Sequence, residues 1–82
     1  KNNTICINIV FNSGVSSVTI PMNLGATFTI ANATNYSSLI FKVNGNTVNI
    51  PFTVNNGDQL YIKVFKNNIQ GISEVELNGI TL

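Results

Sequence analysis

Apolar and polar residues alternate along most of this chain with a period of two, and short clusters of Asn and Gly interrupt the alternation. This period is typical of β-strands, because successive side chains of a strand point to opposite faces of the sheet. No window has the spacing of three and four residues that an amphipathic helix requires. The pattern therefore predicts an all-β protein built from half-buried antiparallel sheets.

The alternation predicts seven strands, with turn signals about every 8–12 residues between them. The predicted strands are Thr4–Phe11, Ser16–Met22, Ala26–Ala31, Ser37–Val43, Thr47–Val54, Gln59–Lys66 and Ser73–Asn78. Asn67–Gly71 is predicted to be a loop, and Ile80–Leu82 to be either a short terminal extension or the beginning of a linker. Strands of this number and spacing favour a seven-stranded antiparallel sandwich, with a small β-barrel as the alternative.

The same alternation, which we call the parity of a strand, assigns each residue either to the core or to the outer surface. Phe28 and Ile30 both fall on the inward side of the third strand. At the other end of the chain, we expect Asn78-Gly79 to end the last strand, because Asn-Gly is a strong turn signal. A chain of 82 residues forms one domain with one core, so residues 1–82 are expected to be a single β-sandwich domain.

Two positions carry specific backbone expectations. Asn44-Gly45 separates two alternating runs and favours a type I′ hairpin, because both central residues of that turn need positive φ. Pro51 lies within the predicted strand Thr47–Val54 but cannot donate a ladder hydrogen bond. We therefore expect that strand to lie at a sheet edge or to be bulged at Pro51.

Charge is scarce, with four lysines, three acidic residues, no histidine and a net charge of +1. Nucleic acids and anionic membranes are bound by clustered basic residues, so we expect neither partner. The commonest general base is missing, and Glu74 and Glu76 lie on one strand face that we expect to be solvated. We therefore predict a protein that is not an enzyme and that carries no cofactor.

The other candidates for chemistry have structural explanations. Asp58 follows Asn55-Asn56-Gly57, and we expect a turn here because Asn, Gly and Asp all favour turn conformations. We do not expect a calcium site, because calcium is bound by several carboxylates and this segment has one. Cys6 is the single cysteine of the chain, so no intramolecular disulfide can form, and its neighbours predict a plain strand position.

Lys42 and Lys63 are expected to point outward from their strands, and Glu74 or Glu76 could face them across the sheet. A buried Lys, Asn and acid together would allow an isopeptide crosslink of the kind found in some bacterial adhesins. Because parity places both lysines outward, we expect an exposed salt bridge instead.

The main functional candidate is the outward stripe of Tyr61, Lys63 and Phe65 on the sixth predicted strand. Aromatic side chains on a solvent face tend to mark interaction surfaces, and they can also stack on sugar rings. Ile40 is expected to extend this patch if its strand is adjacent, and Tyr36 is a further candidate for stacking. The alternative is that another segment covers the rings, or that a bulge reverses the parity.

The segment 54–64, with its Asn-Gly-Asp turn before an alternating strand, resembles immunoglobulin-like modules of bacteriophage structural proteins and bacterial surface proteins. The last strand, with Val75 and Leu77 before Asn78-Gly79, is similar to the end of such modules. Unlike antibody domains, the chain lacks paired cysteines and a core tryptophan. The resemblance implies an immunoglobulin-like sandwich at an extracellular or virion surface, and it carries over no functional residue.

Two functions follow as expectations. The first is a non-catalytic structural or adhesive module, such as a virion decoration, fibre or cell-surface domain, which acts through a protein partner or self-assembly. The second is a carbohydrate-binding module that uses Tyr61, Phe65 and Tyr36 to stack on a glycan. The chain begins at Lys1 instead of Met, so we expect a module of a longer protein.

Overall fold

The computed structural model describes residues 3–66 and 71–82, so the predicted loop Asn67–Gly71 lies outside the described residues except for Gly71. The described residues form eight β-strands and no helix. In chain order the strands are β1 (Thr4–Phe11), β2 (Ser17–Pro21), β3 (Ala26–Thr34), β4 (Ser38–Val43), β5 (Asn46–Val48), β6 (Phe52–Val54), β7 (Gln59–Phe65) and β8 (Ser73–Thr81). The all-β prediction is confirmed, with one strand more than the sequence predicted.

The strands form two antiparallel sheets of four strands each, which pack as a sandwich. We call the sheet β2-β7-β4-β5 the front sheet and the sheet β1-β8-β3-β6 the back sheet. Consecutive strands lie in different sheets except β4 and β5, which form a hairpin. The predicted antiparallel sandwich is thus confirmed, and the small barrel is not supported because the strands fall into two separate sheets.

The connectivity is that of one long hairpin rolled up on itself. Pairing joins β1 to β8, β2 to β7, β3 to β6 and β4 to β5, with further pairs between β3 and β8 and between β4 and β7. This arrangement of eight strands in two sheets is a jelly roll. The predicted immunoglobulin-like connectivity is not confirmed, since in that fold the first strand pairs with the second. Here β1 pairs with β8.

The centre of the core lies between β7 and β8, each of which is an internal strand of its sheet. Leu60, Ile62 and Val64 of β7 and Val75 and Leu77 of β8 are all 0% exposed. Each strand alternates strictly over this stretch, so its inward residues meet the other sheet and its outward residues do not. Burial of such a side chain contributes about 1.5–3 kcal/mol.

Three phenylalanines tie the sheets together beside this centre. The Phe52 ring lies 5.5 Å from the Phe28 ring within the back sheet and 5.3 Å from the Phe41 ring of the front sheet. Both pairs are tilted, which is a favourable geometry for aromatic rings.

The third strand is longer than predicted and changes face along its length. The register of β3 against β8 shifts between Phe28 and Ile30, which is the mark of a β-bulge. Phe28 is fully buried, whereas Ile30 is 54% exposed. The inward prediction for Ile30 is therefore wrong, because one extra residue reverses the parity of the rest of the strand.

The predicted strand Thr47–Val54 is two strands in different sheets. β5 is the edge of the front sheet and β6 is the edge of the back sheet, and residues 49–51 cross between them. The edge position expected from Pro51 is confirmed, and the single continuous strand is wrong. Pro51 offers no N–H to a ladder, so strand pairing does not continue through it.

The hairpin between β4 and β5 has the predicted geometry. Val43 pairs with Asn46, which leaves a two-residue loop. Asn44 has a φ of 51° and Gly45 a φ of 86°. Two positive φ values at the central positions define the type I′ turn, so this prediction is confirmed.

Asn78-Gly79 lies inside β8, which continues to Thr81 instead of ending at the predicted turn. A Cβ atom at position 79 would collide with the Thr27 carbonyl oxygen and lie 2.9 Å from the Phe28 Cα. The glycine is thus required by the close approach of the bulged strand β3 and not by a turn.

Gly79→Ala is expected to lower the free energy of unfolding by about 3 kcal/mol, because the new methyl group meets backbone atoms that can move only if β3 and β8 separate. Urea unfolding followed by circular dichroism measures this change. Gly25→Ala is the matched control and should cost less than about 1 kcal/mol. Its Cβ would be 3.2 Å from Leu82 Cδ1, the end of a flexible side chain. Equal effects of the two substitutions would contradict the packing described for Gly79.

Candidate functional site

The outward surface of the front sheet, which we call the front face, collects the predicted binding residues. β7 lies between β2 and β4, so outward residues of three strands line up across this sheet. Lys42 is opposite Tyr61, and Ile40 is opposite Lys63. The front face contains Ser17, Thr19, Ser38, Ile40, Lys42, Gln59, Tyr61, Lys63 and Phe65.

The stripe predicted on β7 points outward as expected. Tyr61 and Lys63 are half-buried by their neighbours within the sheet, and Phe65 is 41% exposed. Ile40 extends the patch because β4 is adjacent to β7, which confirms the condition attached to that residue. The predicted outward orientation of the stripe is therefore correct, and its binding role stays a prediction.

Each aromatic ring of the stripe has a lysine ammonium beside it. Lys42 Nζ is 5.8 Å from the centre of the Tyr61 ring, and Lys63 Nζ is 4.8 Å from the centre of the Phe65 ring. Both distances fall within the range of about 6 Å in which a cation is attracted to a ring face. The front face thus combines apolar area with positive charge along one line.

A shallow depression of about 290 Å³ lies on the front face beside Tyr61. It is lined by Thr19, Lys42, Gly45, Gln59 and Tyr61. Gln59 has the same parity as Tyr61 and could have been found from the sequence. Thr19 and Gly45 could not, because they reach Tyr61 only through the pairing of β2 and β4 with β7.

A hydrogen-bonded network around Asp58 holds the two turns next to this depression. Asp58 Oδ2 accepts a hydrogen bond from the Asn55 backbone N–H at 2.8 Å, and Oδ1 accepts one from Asn44 Nδ2 at 3.0 Å. Asn44 Oδ1 in turn accepts the Gln59 backbone N–H at 2.9 Å. The bond from Asn55, followed by that from Asn44, lowers the pKa of Asp58. The turn predicted at this position is confirmed.

Tyr36 does not join the stripe. It lies in the connection between β3 and β4, is half-buried, and packs against the hydrophobic core. The structure therefore does not bring its ring together with those of Tyr61 and Phe65. The sequence gives Tyr36 no strand alternation from which its orientation could be predicted.

The outward surface of the back sheet, which we call the back face, carries the two glutamates of β8. Asn8 Nδ2 donates to Glu74 Oε2 at 3.2 Å, and a depression of about 250 Å³ lies beside both glutamates. The back face contains Cys6, Asn8, Val10, Ile30, Asn32, Thr34, Glu74, Glu76, Asn78 and Ile80. Glu74 is exposed and Glu76 is partly exposed, so the solvated strand face predicted for them is confirmed.

The expected salt bridge between the lysines and the glutamates is wrong. Lys42 and Lys63 lie on the front face, whereas Glu74 and Glu76 lie on the back face, with the core between them. An isopeptide crosslink that combines either of these lysines with either of these glutamates is excluded for the same reason. Sequence parity could show that all four side chains point outward, but it could not show that they belong to different sheets.

Cys6 occupies a plain strand position on the back face, as predicted, and is exposed. Its Sγ lies 3.5 Å from Glu76 Oε2. Desolvation, the hydrogen bond to Glu76 and the negative charge of Glu76 all raise the pKa of the thiol. The thiolate, which is the nucleophilic form of cysteine, is therefore disfavoured here.

Within residues 3–66 and 71–82, no group of three or more His, Cys, Asp or Glu side chains is placed to hold a metal ion. The same residues include no helix long and apolar enough to cross a membrane. No protein-family model matches the chain, and no curated protein or solved structure matches it either. The two outward faces are therefore the features from which a function can be argued.

Asp58→Asn should lower the melting temperature at pH 7, because it removes a charged acceptor of two hydrogen bonds. Folding lowers the pKa of Asp58, so its stabilising effect is fully present above the ordinary pKa of about 4 and is lost as the pH falls through the lowered value. The difference between parent and variant should therefore shrink in acid. Thermal unfolding by circular dichroism between neutral and strongly acidic pH measures it, and a difference that is independent of pH would contradict this role.

Proposed function

We propose that this chain is a non-catalytic assembly module that associates with further copies of itself through its front face. The observation that carries the proposal is the continuous stripe of Tyr61, Phe65 and Ile40 on the outward side of internal strands. These side chains are not needed to close the core. Aromatic residues are enriched at protein interfaces, where they supply large contact areas.

The composition of the surface supports association. The net charge of +1 provides almost no repulsion between copies, and a net charge near zero favours association. Burial of a phenylalanine side chain is worth about 1.5–3 kcal/mol, and Phe65 is 41% exposed in the single chain. Contact through the front face would therefore recover apolar burial that the fold itself leaves unused.

The positions of the acidic residues support a role without catalysis. Asp58 is engaged by the two turns that it joins. Glu74 and Glu76 lie on the open back face. General-acid catalysis at neutral pH requires a carboxyl whose pKa is raised by an apolar pocket. The depression beside the two glutamates is not of this kind, because Asn8, Asn32 and Thr34 contribute much of its lining.

The fold adds an analogy to this proposal. Jelly rolls occur in viral capsid domains and in lectins, although a fold alone does not determine function. On this analogy we place the module at a virion surface or a cell surface, as a decoration, fibre or spacer domain. The analogy supports the proposed location of the protein, and the front face supports the proposed contact between copies.

The double substitution Tyr61→Ser/Phe65→Ser is expected to weaken self-association at least tenfold, because it removes the apolar area of the front face. Sedimentation velocity between about 10 and 500 µM measures the effect, since an interface at the low end of the size range is expected to be weak. Leu24→Ser is the matched control, because Leu24 is 42% exposed and lies in the β2–β3 connection. Association that persists unchanged in the double variant would contradict the proposed function.

Carbohydrate binding is the second candidate, and the depression beside Tyr61 favours it. An aromatic ring, an amide (Gln59) and a hydroxyl (Thr19) are the groups with which proteins stack on and hydrogen-bond to sugars. However, the Lys42 ammonium lies 5.8 Å from the centre of the Tyr61 ring and shares that space. For this reason we place assembly first.

Under the carbohydrate hypothesis, a glycan array should show binding by the wild-type chain that is lost in both Tyr61→Ala and Gln59→Ala. Leu24→Ala, outside the depression, should bind like the wild type. Glycan binding with this pattern, together with self-association unchanged by the loss of the Tyr61 ring, would favour carbohydrate recognition over assembly. An array without binding would remove the second candidate.

A further inference from the structure

The charged side chains within the described strands are separated by sign. Lys42 of β4 and Lys63 of β7 point outward from the front sheet, and Glu74 and Glu76 of β8 point outward from the back sheet. The two other charged residues in the described part of the chain, Asp58 and Lys66, lie outside the strands. One broad face is therefore positive and the opposite face is negative.

Both faces also carry exposed apolar side chains. On the back face, Val10 is 47% exposed, Ile30 54% and Ile80 43%. On the front face, Phe65 is 41% exposed, and Ile40 lies next to Lys63. Each face thus has what a weak specific interface needs, which is apolar area with charge placed beside it.

The spacing of the charges is similar on the two faces. Lys42 is opposite Tyr61, two residues from Lys63 on the neighbouring strand, and such diagonal neighbours are about 7–8 Å apart. Glu74 and Glu76 are two residues apart on one strand, which corresponds to about 7 Å. A pair of lysines can therefore meet a pair of glutamates without distortion of either sheet.

We infer that the front face of one copy docks on the back face of a second copy, so that copies stack front to back. This inference rests on the proposed function and names the surface that the front face contacts. Lys42 and Lys63 of one copy lie against Glu74 and Glu76 of the next. The apolar side chains around them are buried at the same time.

Charge decides against the two symmetric alternatives. A front-to-front pair would bring lysines against lysines, and a back-to-back pair would bring glutamates against glutamates. Like charges facing each other at an interface are unfavourable and suppress the wrong pairing. A front-to-back contact uses different surfaces on the two copies, so it leaves one face of each kind free and allows the stack to grow unless its rotation closes a ring.

The expected strength follows from the size of the faces. The front face is the smaller of the two, at most about 20 Å wide and about 24 Å long, because its four strands lie about 4.8 Å apart and its longest strand, β7, has seven residues. This area is at the low end for specific protein interfaces, where weak and transient contacts are found, so we expect a single contact to be weak.

The test uses one charge reversal on each face, Lys63→Glu and Glu74→Lys. Each variant alone should associate at least tenfold more weakly than the wild type in sedimentation velocity, because like charges then meet at every contact. An equimolar mixture of the two should recover the wild-type affinity within about threefold, since the intact front face of the Glu74→Lys chain meets the intact back face of the Lys63→Glu chain. Thermal unfolding of each variant checks that the fold is kept.

Lys66→Glu is the matched control, because it makes the same change three residues away, outside the strands, and should associate like the wild type. If a variant unfolds, Lys42→Glu replaces Lys63→Glu and Glu76→Lys replaces Glu74→Lys in the same mixing experiment. Loss of association in Lys63→Glu with none in Glu74→Lys would overturn front-to-back stacking and leave the proposed function standing. If the front-face substitutions had no effect, or if the wild type stayed monomeric, front-to-back stacking and the proposed function would both be contradicted.

Discussion

The burial of β7 and β8 on facing sides of one core is the constraint on which the rest of the structure depends. Leu60, Ile62, Val64, Val75 and Leu77 are all fully buried between the two sheets. Because both strands alternate, burial of these residues forces the residues between them outward, onto opposite surfaces of the sandwich. The two strands follow each other in the chain, but their polar residues end up on different faces. The front face thus obtains its rings and lysines, and the back face its glutamates.

Features that depend on neighbouring residues alone could be predicted from the sequence. The outward position of Tyr61 and Phe65 was predictable because β7 has no irregularity, so a period of two assigns every residue to a face. The hairpin at Asn44-Gly45 was predictable because its positive φ values suit these residue types. The edge position near Pro51 followed from its missing N–H. Each of these rests on chemistry within a few residues of the feature.

Features that depend on which strands are neighbours could not be predicted. The exposure of Ile30 results from a bulge against β8, and Gly79 faces that bulge from a strand nearly fifty residues away in the chain. An alternating pattern assigns residues to one side of a strand but does not identify the sheet, which is why Lys63 and Glu74 could be expected on one surface. The jelly-roll pairing of first with last strands places them on opposite surfaces. The candidate interface is therefore a product of the topology.

Zero-length carbodiimide crosslinking, followed by mass spectrometry of an equimolar mixture of isotope-labelled and unlabelled chains, tests the central claim most directly. Within one copy, the core separates Lys42 and Lys63 from Glu74 and Glu76, so an amide bond between the two groups can form only between copies. Front-to-back stacking predicts peptides that join one of these lysines to one of these glutamates and that contain both labels. Crosslinked dimers that lack such peptides and are joined only through Lys66 or Asp58 would contradict it.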